Sequence, residues 1–240
     1  QESNLIPVDV SAGGMRRFAS VLIGGIISAI IWYLLQRNYK PVKLGKAVKG
    51  QQMPLAKTLI HVYTQIFFVG TGNSIGRELA PREAGAALAQ KWESLFHDNK
   101  FLGLNAEDRR MITAAAAGAG FAGVYIAPIT GAVFCMELLY KKINARVISV
   151  SLTMSVIATL IGSIVKGYKP YYLVGPKSFQ LQSLPLALIL GLICGFLGTL
   201  FKKYIGVAKA HRATKINVLA QLPAVAAVTG GIAAFFPQIM

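Results

Sequence analysis

Long apolar windows free of formal charge alternate with short basic stretches along this chain. Phe18 to Gln36 lies between Arg17 and Arg37, and Met111 to Met136, Val147 to Val165, Ser178 to Phe201 and Ile216 to Met240 contain no Asp, Glu, Lys or Arg. Each approaches or exceeds the roughly 18–20 residues that cross a hydrocarbon core as a helix. A further stretch, Thr58 to Ile75, holds His61 but no formal charge. The pattern predicts five or six hydrophobic passes and an all-α, polytopic membrane protein forming a single membrane domain over residues 1–240.

Helix breakers divide these windows into elements. Gln1 to Gly14 is polar and turn-rich, a loop entering the first span, and Arg16 to Tyr39 reads as one full helix. Gly24, Gly25 and Ser28 give that helix a small-residue face for close packing. Lys40 to Pro54 is basic and bounded by proline, too short to span, with room for about two helical turns. The next helix runs from Leu55 to Gly72, where Gly70, Gly72 and Asn73 end it. Another is expected to begin around Pro81, since proline suits a first helical turn, and to continue to Phe96. Asn99 to Glu107 reads as a loop with Asn105 as an N-cap. Pro128 and Gly131 interrupt Met111 to Met136, which predicts two helices meeting inside the membrane around Ala127–Pro128. Helices follow at Ala145–Val165, Leu184–Val207 and Ile216–Phe236. Ala224 to Met240 shares the Ala/Gly-rich character of Phe18 to Leu35, a hint of the internal repeats that transporters use.

Composition strengthens the membrane reading: 54% of residues are hydrophobic and 14% charged, against about 25% charged in a soluble domain. The net charge of +16 raises nucleic acid as a partner, but the basic residues sit beside the spans. They group as Arg37 to Lys49, Lys141 to Arg146 and Lys202 to Lys215. Basic cytoplasmic loops and contact with anionic lipid headgroups account for that placement. No nucleic-acid motif is present, so none is expected as a partner. Cys135 and Cys194 fall within apolar windows and read as small buried hydrophobes, and His61, His97 and His211 show no ligand spacing. The chain opens at Gln1 with no signal-peptide pattern and reads as a fragment of a longer protein.

No enzyme motif and no cofactor motif occurs. The chemistry gathers instead in Gly70 to Gly85, GTGNSIGRELAPREAG. Glycines and a proline interrupt a helix there at membrane depth and bring Arg77, Glu78, Arg82 and Glu83 to the break. Ionisable residues inside a bilayer are costly and usually face a cavity or pathway. A broken helix also leaves backbone N–H groups unpaired at a positive dipole end, which attracts anions. A carboxylate at the same place competes for that site, and protonation or displacement clears it, which is how a gate works. The alternative is a structural ion pair of Glu78 with Arg77 or Arg82.

With these residues in place, the chain resembles the CLC family of chloride channels and proton-coupled chloride transporters. Gly76–Arg77–Glu78 matches the start of that family's G-[KR]-E-G-P motif. Ala114 to Leu139, AAAAGAGFAGVYIAPITGAVFCMELL, resembles its run of small residues, with Ala127, Pro128, Gly131, Phe134 and Glu137 at matching spacing. The resemblance implies an inverted-repeat helical fold with broken half-helices, of which this chain covers a middle part.

The resemblance implies Glu78 as the gating residue, with Gly76, Arg77, Leu79, Ala80 and Pro81 around the anion, and Gly45 and Lys46 on a second loop. Three departures stand out. Leu79–Ala80–Pro81 replaces the family's Gly-Pro, and Leu44–Gly45–Lys46–Ala47–Val48–Lys49 replaces its G-S-G-I-P. Lys46 thus stands about where a serine would bind the anion; it either attracts the anion or snorkels to the cytoplasmic surface. Leu138 replaces the second glutamate of proton-coupled members and cannot carry a proton, which argues for passive conduction. Glu137 and Pro128 are expected to be structural, Glu137 through the backbone or Lys141 one turn on. The implied partners are chloride or another small anion, the lipid bilayer and a second copy of the chain, docked through Ile129–Tyr140 and Val147–Val165. The implied location is the plasma membrane. Proton-coupled exchange, a fluoride-type exporter, an intramembrane enzyme and a non-transporting scaffold remain as rivals.

Overall fold

A computed structural model describes residues 13–96, 104–167, 184–210 and 216–236, with side chains to residue 207 in the third stretch. The entry loop expected at Gln1–Gly14 up to residue 12, most of the loop at Asn99–Glu107, His97, His211 and the basic residues Arg212 and Lys215 lie outside these residues, while Gly14 already opens the first helix. The chain divides into two compact units, Gln1–Lys169 with Lys215–Met240, and Pro170–Thr214. All described secondary structure is helical, in keeping with a multi-pass membrane fold.

In the larger unit α1 (Gly14–Asn38) buries Val21, Gly24, Gly25, Ser28, Ala29 and Trp32, a stripe at helical spacing. The stripe packs on α9 (Asn217–Phe235) and α3 (Leu55–Gly70). Its glycines permit this: a Cβ at Gly24 would strike the Thr71 side chain, and one at Gly25 the Ala226 side chain. Arg17 turns inward at the start of α1, where its guanidinium donates to the backbone oxygens of Ala233 (3.1 Å) and Ala234 (3.0 Å). A buried charge thereby satisfies carbonyls that the end of α9 leaves unpaired.

The short basic segment forms α2 (Leu44–Val48), five residues rather than two full turns. Gln90, on α4 (Leu79–Leu95), clamps it: Nε2 donates to the carbonyls of Ala47 and Gln51 (both 3.1 Å), and Oε1 accepts from the Met53 N–H (2.8 Å). α5 (Ala106–Tyr125) opens with the expected cap at Asn105, completed into a capping box by Asp108. α4 and α5 meet through small residues, since a Cβ at Gly85 would strike the Ala116 carbonyl and one at Gly120 the Pro81 carbonyl.

The break expected around Ala127–Pro128 is present. Ile126 takes a left-handed conformation (φ 54°), and Pro128 is the first residue of α6 (Pro128–Phe134), which widens into a π-helical turn at Cys135–Tyr140. α7 (Ala145–Lys166) lays Ser151, Ser155, Thr159 and Ser163, one per turn, along its buried face. In the smaller unit the described element is α8 (Leu184–Ala210).

Four described helices are long and apolar enough to cross a membrane: α1, α7, α8 over Leu184–Val207, and α9. This is fewer than the five or six passes expected, for two reasons. The Met111–Met136 window is shared between α5 and the shorter α6. The Thr58–Ile75 window yields the 16-residue α3, about 24 Å of helix against a core of about 30 Å. Cys135 is buried as expected, whereas Cys194 is exposed on α8.

The polar contacts sort the larger unit into two ends. One gathers α2 and Gln90 with Glu107, which accepts from Lys142 (2.6 Å) and Tyr140 (3.1 Å), and with the Asp108–Arg146 pair (2.8 Å). The other holds the α3–α4 connection, where Ser20 donates to the Thr71 carbonyl (3.3 Å) and Asn73 to the Val21 carbonyl (3.0 Å).

Candidate functional site

Between α3 and α4 the chain runs through Thr71 to Glu78 without regular structure. Gly72 (φ 97°) and Gly76 (φ 74°) both occupy the left-handed region that glycine adopts at little cost. Gly76 has a second reason to lack a side chain, because a Cβ there would strike Oε2 of Glu78. The Glu78 carboxylate therefore lies folded back over its own loop.

Glu78 is the N-cap of α4, and its side chain makes no capping hydrogen bond to the helix. Oε1 instead accepts from the hydroxyl of Tyr125, the last residue of α5, at 2.5 Å. Arg82 does not spend its Nε on that carboxylate, donating to the backbone oxygen of Glu78 at 2.6 Å. Its guanidinium lies over the rings of Phe134 (5.0 Å) and Phe121 (5.6 Å), which stack on each other at 5.4 Å. Arg77 lies over the Tyr125 ring at 5.7 Å. Lys166, ending α7, donates to the carbonyl of Val124. The site is thus a half-buried carboxylate beside a helix N-terminus, within a shell of aromatic rings and three cations.

Helix α4 begins at Leu79, two residues ahead of the expected start, so Pro81 occupies its third position. The first-turn N–H groups have no partner within the helix, and a proline fits throughout that turn. Pro81 has no N–H and cannot be a backbone anion ligand; Leu79 and Ala80 keep theirs. Gly45 and Lys46 sit on the exposed side of α2, away from its buried Leu44, Ala47 and Val48. Their helix is held at Gln90, about 18 Å along α4 from Glu78 at 1.5 Å per residue.

Glu137 and Leu138 are both exposed in the π-helical turn, and among the described residues no ion pair joins Glu137 to Lys141. The turn ends at Lys141, whose left-handed conformation (φ 61°) carries the chain out of the helical register that such a pair needs.

Sequence reasoning passed over Tyr125, which bonds Glu78, and Phe121, which with Phe134 carries Arg82; Phe134 was noted only for its spacing. Phe121 and Tyr125, one turn apart at 5.0 Å between centroids and close ahead of Pro128, were the available signal. It also passed over a buried cluster centred on His61. Nδ1 of His61 accepts from the Trp32 indole N–H (2.8 Å), while Oε2 of Glu83 accepts from Gln65 Nε2 (2.9 Å) and lies 3.6 Å from His61 Nε2.

A family model described as voltage gated chloride channel matches residues 15–240. A voltage-gated ClC-type chloride channel, ClcB, of Yersinia pseudotuberculosis is 24% identical over 237 residues, covering 92% of this chain and 54% of the relative. A chloride/fluoride channel protein of Pseudomonas syringae is 30% identical over 199 residues, covering 82% and 40%. An H(+)/Cl(-) exchange transporter, ClcA, of Cronobacter sakazakii is 28% identical over 189 residues, covering 74% and 39%. The chain spans about half the length of the first of these relatives and less of the other two.

Proposed function

This chain belongs to the voltage-gated chloride channel family, and on that premise we propose that it contributes a gated path for chloride or a similar small anion across the bilayer. Glu78 is the gate, and the backbone N–H groups from Gly76 to Ala80 at the start of α4 are anion ligands. The observation that carries this reading is the half-buried Glu78 carboxylate beside a helix N-terminus that it does not cap. A second acceptor arriving there meets unpaired N–H groups at the positive end of a helix dipole. The relatives named as channels and exchangers support transport over catalysis.

The reading has a direction. The end that carries Lys46, Lys49, Arg109, Lys142 and Arg146 faces the cytoplasm of a cell whose plasma membrane holds the protein, following the bias of basic residues toward the inner side. Glu78 and Tyr125 then face outward. Lys46, exposed among those basic residues, serves the cytoplasmic surface and not the anion site. A second copy docks along the exposed apolar residues Ile129, Leu138, Ile157, Leu160 and Ile161.

Conduction is passive in this reading, because Leu138 offers no proton acceptor in the turn that carries Glu137. The rival is proton-coupled exchange, favoured by the likeness to the named exchanger. Chloride efflux from liposomes holding the intact protein tests transport, and reversal potentials across a pH gradient test coupling. A potential that ignores the pH gradient supports passive conduction; one that follows it supports exchange.

A further inference from the structure

The geometry points to Tyr125 as the residue that positions the Glu78 carboxylate, its hydroxyl holding the gate off the helix N-terminus where the anion binds. The inference rests on the proposed gate at Glu78 and adds the group that sets its resting place. Three observations carry it. The Tyr125 hydroxyl is 2.5 Å from Oε1 of Glu78, although the two residues are 47 positions apart. The same carboxylate gives no cap to α4, so the phenol holds an acceptor that the helix N-terminus would otherwise receive. Tyr125 itself cannot drift, since it ends α5 at the corner where Ile126 turns left-handed and Pro128 restarts the helix.

The charged groups around the pair favour this position. Arg77 lies over the Tyr125 ring, Arg82 holds the backbone of Glu78 and rests on Phe121 and Phe134, and Lys166 binds the carbonyl just before Tyr125. All three are cations, from the α3–α4 connection, from α4 and from α7, and they hold a carboxylate near the corner. The hydroxyl decides which of two nearby positions it takes there. A hydrogen bond to a charged group shifts such a balance by about tenfold or more.

Tyr125→Phe tests this, because it removes the hydroxyl and leaves the ring under Arg77. In liposomes holding the intact protein, chloride efflux at pH 7.5 should fall by about tenfold as the released carboxylate competes with the anion. Efflux should recover progressively as pH falls to about 4 and below, where the carboxyl takes up its proton and no longer competes. In a Glu78→Ala background the Tyr125 substitution should have no effect, and Tyr63→Phe, an exposed tyrosine on α3, should match wild type. Wild-type efflux and pH profile in Tyr125→Phe would overturn the proposal. So would a loss that ignores pH and persists without Glu78, since the hydroxyl would then serve only the α5–α6 corner. If Glu78→Ala alone leaves efflux unchanged, the gate reading itself fails, a result separate from failure of the latch.

Discussion

The indole N–H of Trp32 donates to Nδ1 of His61 at 2.8 Å, which leaves the imidazole proton on Nε2, directed at Glu83. At 3.6 Å the His61–Glu83 approach is too long for a hydrogen bond, so the carboxylate depends on Gln65 as its near donor. In the interior of the larger unit α3 is tied to α1 through the His61–Trp32 bond and to α4 through the Gln65–Glu83 bond. Removing a member leaves its partner buried and unsatisfied, a loss of about 1–3 kcal/mol. Trp32→Phe and Gln65→Leu should each lower the unfolding midpoint in detergent. Glu83→Gln should cost less than Glu83→Leu, because an amide still accepts from Gln65. Equal melting of all four variants with wild type would show that the cluster does not hold these helices.

Small residues let the helices approach, and that can be tested one atom at a time. A Cβ at Gly118 would lie 2.5 Å from the Gly131 carbonyl and 3.1 Å from Cβ of Cys135, so Gly118→Ala must push α5 from α6. Overpacking of this kind costs about 1–3 kcal/mol. Gly231, on α9, has nothing within 4 Å of its Cβ direction, and Gly231→Ala should be neutral or stabilising by about 0.5–1 kcal/mol. Thermal unfolding of the two variants side by side checks the order, and a Gly118 variant as stable as the Gly231 variant would contradict the packing described.

At the basic end, outside the membrane-spanning segments, the Lys142 hydrogen bond, with a second from Tyr140, holds the Glu107 carboxyl below its ordinary value of 4.5. A carboxyl depressed in the folded state adds stability above its ordinary value and loses that contribution as pH falls through the depressed one. The pair is exposed, so its contribution is small. A carboxyl-carbon NMR titration should place the Glu107 midpoint below 4.5 in wild type and bring it back up in Lys142→Ala. Identical midpoints in the two proteins would remove Lys142 as the cause.

Much of the helix order was legible because breakers act locally. Pro128 at a helix start, Asn105 as a cap and the glycines from Gly70 to Gly76 state their role within a few residues, and the structure places each accordingly. The start of α4 was misread by two residues because a proline is tolerated anywhere in a first turn, so Pro81 marks the turn and not its first position. What surrounds Glu78 was not legible in the same way. Tyr125 reaches it across 47 positions and His61 meets Trp32 across 29, and neither pairing follows from spacing along one helix. The apolar window from Thr58 to Ile75 suggested a complete pass because hydropathy counts residues up to a break, whereas α3 stops at Gly70, inside that window.

The central claim is that the Glu78 carboxylate competes with the anion, and Glu78→Gln measures it directly, since glutamine keeps the shape and loses the charge at every pH. Chloride efflux from liposomes holding the intact protein should rise in wild type as pH falls from about 7.5 to about 4, where a carboxylate begins to take up its proton. The rise should be smaller than in Tyr125→Phe, because the Tyr125 hydroxyl already holds most of the wild-type carboxylate off the site. In Glu78→Gln efflux should be at least as fast at pH 7.5 as wild type at pH 4, and flat across the range. An efflux from Glu78→Gln that keeps the wild-type rate and the wild-type pH profile would contradict the assignment of the gate to Glu78.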